Sequence, residues 1–161
     1  MSLCKARLPD EYVLAFPDDP AIDWDATAEK WEIKPAEDAE DPAAARRTAA
    51  RLHYAERGPD TALPLAASGD DLITRFVCRP LTHKENVDLH RRLDELRGED
   101  DTIKTADFYE FNVEALEVLL VRVDDFGGEY RGLDDLPQDV IIAVGSRAFA
   151  LNNLSVQTRD F

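Results

Sequence analysis

Leu72-Ile73-Thr74-Arg75-Phe76-Val77-Cys78-Arg79-Pro80-Leu81-Thr82-His83-Lys84-Glu85 is the stretch that decides how this chain folds. Its first eight residues alternate. Leu72, Thr74, Phe76 and Cys78 fall on one side, and Ile73, Arg75, Val77 and Arg79 on the other, the period of a half-buried strand. Pro80 has no amide hydrogen to continue a ladder and ends it. Thr82 and Glu85 then form a capping box, in which the threonine hydroxyl meets the Glu85 amide and the glutamate reaches back. The helix this opens carries Leu89, Leu93 and Leu96 on one stripe and stops at Gly98.

Downstream, a longer helix is expected from Thr105 or Asp107 to about Gly127-Gly128. Apolar residues from Phe108 to Val123 occupy most of its faces, and only Glu110, Glu114 and Glu117 form a polar stripe. Such a helix is either the central core element or one covered partly by a partner. A last helix opens at Asp134-Asp135-Leu136-Pro137 and is expected to run to Leu151, with Asn152-Asn153 as its stop. Gly145 inside it costs about 1 kcal/mol against alanine, so it marks a close helix–helix approach.

Upstream, the character changes. Between Leu8 and Asp41 there are twelve acidic residues against Lys30 and Lys34, a net −10 out of −15 for the 161-residue chain. Prolines at 17, 20, 35 and 42 interrupt any long element. Tyr12 to Phe16 is a short apolar run and the expected partner of the Leu72–Arg79 strand, which cannot satisfy its own backbone groups. Trp24 and Trp31 lie seven apart and can share a helical face. They can fold back on this chain's own core or anchor on a neighbour, where buried aromatics dominate binding. Asp41 and Pro42 then read as N-cap and first residue of an Ala-rich helix that ends near Gly58. Its Arg46, Arg47 and Arg51 form a basic side, turned to solvent or to the acidic segment.

The expected fold class is therefore mainly α with a small β element, a three-helix C-terminal domain and an extended acidic N-terminal arm. The divisions are residues 1–41 (arm), 42–71 (helix and linker) and 72–161 (strand plus three helices). Strong negative charge disfavours nucleic acid and anionic membranes and favours basic partner surfaces. No apolar run approaches the roughly 18 residues of a membrane span. Cys4 and Cys78 are the only cysteines and suggest neither a disulfide framework nor a zinc site.

Catalytic signals are weak. Asp18-Asp19, Asp70-Asp71, Asp100-Asp101, Asp124-Asp125 and Asp134-Asp135 are paired carboxylates that can hold a divalent cation. Each abuts a predicted turn or helix end, where aspartate caps and forms turns. A metal-dependent hydrolase would require two or more pairs to converge. His83 and His90 are seven apart rather than the four that suit one metal. Gly145-Ser146-Arg147 lacks the setting of a nucleophile elbow, and Gly127-Gly128 that of a phosphate loop. The chain is expected not to be an enzyme and to use no cofactor or metal.

Residues 76–155 resemble small proteins of the head–tail morphogenesis clusters of tailed bacteriophages, including tail-assembly-chaperone-like families. The resemblance rests on Arg79-Pro80-Leu81-Thr82, on Glu114 to Val123, on Asp134-Asp135-Leu136-Pro137 and on Leu151 to Ser155. Where those families often carry tryptophan-glycine after the long helix, this chain has Asp124-Asp125-Phe126-Gly127-Gly128. The resemblance implies a non-enzymatic virion structural or assembly protein, made in the host cytoplasm and located in the virion. It would occur in multiple copies against other virion proteins with basic surfaces. In this reading the arm binds those partners through Tyr12, Phe16, Trp24 and Trp31, with Asp18, Asp19, Asp23 and Asp25 pairing with basic groups. The alternatives are a tail-assembly chaperone not retained in the particle, and a soluble acidic inhibitor that mimics nucleic acid.

Overall fold

The computed structural model describes residues 10–56 and 65–157, with side chains as far as Asn152. Among the described residues there are five α-helices and one three-stranded antiparallel sheet. The order is β1 (Tyr12–Leu14), α1 (Trp24–Lys30), α2 (Pro42–Glu56), β2 (Arg75–Cys78), α3 (His83–Leu96), α4 (Thr105–Leu119), β3 (Leu120–Asp124), a 3-10 turn (Leu133–Asp135) and α5 (Gln138–Gln157).

β2 is the central strand, with Tyr12 opposite Cys78 and Leu14 opposite Phe76. The expected pairing of these two segments is thus present. On its other edge β2 pairs with β3, Arg75 opposite Asp124 and Phe76 opposite Val123. β3 corrects the expected long helix. α4 stops at Leu119, and Leu120 turns at once into extended backbone. Helical continuation would leave the second edge of β2 without partners, whereas Leu120-Val121-Arg122-Val123 has the β-branched composition that fits a pleated surface. Cys78 faces Leu120 and Val77 faces Arg122, so Val121 is an extra residue in a bulge on this edge strand.

Three helices cover one face of the sheet. Phe76 and Cys78, Tyr12 and Leu14 meet Phe111, Leu116 and Leu119 of α4 and Ile141, Val144 and Leu151 of α5 in the main core. α4 and α5 approach closely where Gly145 faces Asn112. A Cβ at position 145 would lie 2.7 Å from Asn112 Oδ1 and 3.0 Å from its Cβ. The interior glycine is thus explained by contact. Asn112 is fully buried and satisfied: its Nδ2 donates to the Phe108 carbonyl at 2.8 Å and its Oδ1 accepts from Ser146 Oγ at 3.2 Å.

The capping box is present as read. Glu85 N donates to Thr82 Oγ1 at 3.2 Å and Thr82 N to Glu85 Oε1 at 2.9 Å. α5 does not stop at Asn152; it continues to Gln157. Asn152 is buried and accepts from Leu81 N through Oδ1 at 2.8 Å. Its Nδ2 donates to the Ala148 carbonyl at 2.8 Å and to Tyr12 Oη at 3.2 Å. A residue that reads as a helix stop instead joins β1, the exit of β2 and α5. Phe161 and Cys4 lie outside the described residues.

The acidic N-terminal segment is not an extended arm over its described part. α1 and α2 pack together around a second, smaller core of Ile22, Trp24, Ala28, Ala50 and Tyr54. The segment after residue 64 clamps this layer. Ala67 bridges Ile22, Asp23 N donates to the Ala66 carbonyl, and the fully buried Thr27 accepts from Ala66 N at 2.9 Å. Burying Trp24 and packing the half-buried Trp31 against it takes apolar surface out of water and favours this layer.

Candidate functional site

The residues expected to bind a partner serve this chain's own fold. Tyr12 is 3% exposed and Trp24 8%. Trp24 Nε1 donates to the Pro17 carbonyl at 3.0 Å, and its ring meets Trp31 and Tyr54 edge-on at 6.5 and 6.1 Å. Trp31 is half-buried, 5.6 Å from His53. Phe16 is half-buried against the main core. Trp24 opens α1 and Trp31 is its C-cap, and both rings turn inward against the smaller core.

The four aspartates are likewise engaged. Asp23 is the N-cap of α1, its Oδ1 accepting from Ala26 N at 2.9 Å. Asp19 accepts from Ala21 N at 2.9 Å and, across the chain, from Thr74 N at 3.1 Å. Asp25 pairs with Arg47 at 3.1 Å and Asp18 with Arg51. Arg51 also sits 5.6 Å over the Trp24 ring. The basic side of α2 therefore faces the acidic segment. Both pairs are substantially exposed, so each contributes little.

Burial pushes the Tyr12 phenol far above its ordinary range and the Cys78 thiol up to about 12, so neither ionises near neutrality. A thiol held neutral in an apolar interior is a packing group rather than a nucleophile. Glu85 is lowered to about 2, chiefly by its hydrogen bonds from Arg79 at 3.0 and 2.6 Å, and then by its capping contacts at Thr82. The histidines occupy separate places: His53 at Trp31, His90 5.0 Å from Phe149, and His83 exposed at the start of α3.

Recesses lined by described residues include two of note. One, of about 350 Å³, is mainly apolar, with Leu14, Pro17, Tyr54, Val144 and Arg147 among its walls. Arg147 spans it to the end of α2, donating to the Ala55 carbonyl and to the Tyr54 carbonyl, the latter at 3.2 Å. Desolvation lowers its guanidinium below the ordinary value.

The second recess, of about 480 Å³, lies where the turn at 19–21, the loop at 70–74 and the turn at 125–127 meet. It brings together members of three aspartate pairs that stand far apart in sequence: Asp19, Asp70, Asp71 and Asp125. Asp125 and Gly127 have left-handed backbone, φ 57° and 75°, which turns the chain sharply after β3. Leu72, Phe126, Pro20 and Ala21 supply apolar wall. Convergence alone does not make a metal centre. Both Asp19 oxygens are committed to backbone amides, and among the described residues no three His, Cys, Asp or Glu side chains are placed to hold a metal ion. The pairs stand far apart in sequence and no local feature signals that they share a recess, because loop closure through the sheet brings them together.

Among the described residues no helix is long and apolar enough to cross a membrane. No family model, curated protein or solved structure matches this chain.

Proposed function

We propose that the chain is a non-enzymatic assembly protein of tailed bacteriophages that docks on basic surfaces of virion proteins with its folded acidic body. The role moves from the arm to the body because Tyr12 and Trp24 are inside the fold. That single observation carries the choice. A chain whose aromatic anchors are already satisfied needs no neighbour to order its N-terminal layer. It suits a tail-assembly chaperone that binds and leaves better than a building block gripping the next subunit.

The charge supports docking on basic surfaces, since a chain at −15 attracts them at long range and speeds encounter. The phage setting rests on the sequence pattern of residues 76–155 alone, which resembles that of phage morphogenesis proteins. The nucleic-acid mimic is disfavoured: Glu11, Asp18, Asp25 and Glu85 are matched by arginines of the same chain rather than displayed as a phosphate-like row.

Affinity purification of the tagged chain from infected cells, with mass spectrometry of finished particles, tests the reading. The expected result is capture of a tail structural protein before assembly and absence of the chain from mature particles. Stoichiometric retention in particles would overturn the transient role. Normal tails in a phage lacking the gene would overturn the assembly role altogether.

A further inference from the structure

We propose that the recess at Asp70, Asp71, Leu72 and Asp125 is a docking surface for a polypeptide segment that carries lysine or arginine beside an apolar side chain. The inference rests on the docking reading above and names the chemistry of the partner. Leu72 is 67% exposed, more than any other large apolar side chain among the described residues. With Phe126 it lines the recess, which is shallow and open to solvent. An apolar side chain left in water inside a recess gains by being covered.

The charge around it is what selects the occupant. Some acidic groups of the N-terminal layer are matched within the chain, Glu11 by Arg122, Asp18 by Arg51 and Asp25 by Arg47, while others, such as Glu37 and Asp38, form no ion pair among the described residues. What sets the recess apart is unpaired carboxylates beside an exposed leucine. At the recess the match is incomplete. Arg75 approaches Asp125 only to 3.9 Å, and Asp70 and Asp71 form no ion pair among the described residues. Two unneutralised carboxylates next to an uncovered leucine complement a segment with a cation and an apolar group side by side. A volume of about 480 Å³ accommodates a few side chains. Anionic ligands are repelled, and a bare divalent cation would leave Leu72 and Phe126 uncovered and would find Asp19 already occupied.

The test is fluorescence anisotropy of the full chain with a labelled peptide of alternating lysine and leucine, and with the glutamate–leucine counterpart. Saturable binding of the first alone is expected, weakening as salt rises from about 50 to about 300 mM. Asp70→Asn with Asp71→Asn should weaken it roughly tenfold, and Leu72→Ser several-fold. Glu37→Gln with Asp38→Asn, which removes the same charge from an exposed turn, should leave it unchanged. All five substituted positions are exposed, and unchanged melting temperatures would establish that the variants are folded. Equal loss in both double variants, indifference to Leu72→Ser, or full displacement by calcium or spermidine would overturn the proposal. If the triple variant at positions 70–72 still captures the tail protein from infected cells as well as the parent does, the recess inference fails while the docking reading stands.

Discussion

The layer formed by α1 and α2 and the body formed by the sheet with α3 to α5 are built on different terms. The body buries sixteen residues in one core, with Phe76, Phe111, Leu116, Ile141 and Leu151 almost entirely removed from water. The layer buries five, and two of them are alanines. What it lacks in aliphatic packing it replaces with ring edges, an arginine over an indole, helix caps and exposed ion pairs. Aliphatic burial scales with area and survives salt; ion pairs at the surface do neither. An acidic, proline-interrupted segment can therefore fold, provided a few aromatic side chains reach a core that the rest of the chain supplies.

The contrast can be broken most directly by truncation in each region. Phe76→Ala, on the central strand, should cost about 3–5 kcal/mol and lower the melting point of the whole chain. Trp24→Ala should cost about 2–3 kcal/mol, less because the smaller layer can relax around the gap. Hydrogen exchange should then speed up in α1 and α2 while β2 and α5 keep their protection. Equal loss of protection everywhere would show that the two regions form one cooperative unit.

A contact inside the body comes next. Gly145→Ala places a methyl against Asn112, so it should destabilise by about 1–3 kcal/mol despite the better helix propensity of alanine. A stabilised variant, measured by urea unfolding, would mean that α4 and α5 can separate freely.

Acid sharpens the comparison on a smaller scale. Glu85 has its carboxyl lowered from 4.5 to about 2 by Arg79 and the cap, so its contribution is present above about 4.5 and is lost as pH falls through about 2. The pair is partly exposed, which reduces that contribution to roughly 1 kcal/mol. Glu85→Gln should flatten the acid limb of the stability curve by that amount, as followed by circular dichroism. The smallest effect is expected from Arg47→Ala with Asp25 left in place, about 0.5 kcal/mol or less, and it should vanish in high salt.

Legibility followed the range of the interactions. The capping box at Thr82 and Glu85, the cap at Asp41 before Pro42 and the close approach at Gly145 each depend on a few neighbouring residues or on one helix. Such signals were readable directly. Leu120 to Asp124 was not, because an apolar run after a helix satisfies helix and strand alike until a second strand is known to need a partner. Asn152 misread for the same reason: asparagine ends helices when exposed, but here three buried groups await its amide.

The candidate recess lay further still beyond local reading. Asp19, Asp70, Asp71 and Asp125 each looked like turn chemistry, and Asp19 indeed caps its turn. Their meeting depends on the antiparallel pairing that carries the ends of β2 and β3 beside the turn at residues 19–21.

By itself, the sequence determined where α2, α3 and α4 start, that a strand runs up to Pro80, and how much negative charge the chain carries, since period, caps and titratable groups act over one or two turns. Only the tertiary structure decided the direction in which Trp24 and Tyr12 face. A tryptophan is equally content in its own core or in a neighbour's pocket, and the choice falls to whichever apolar surface closes over it with the least loss of chain freedom.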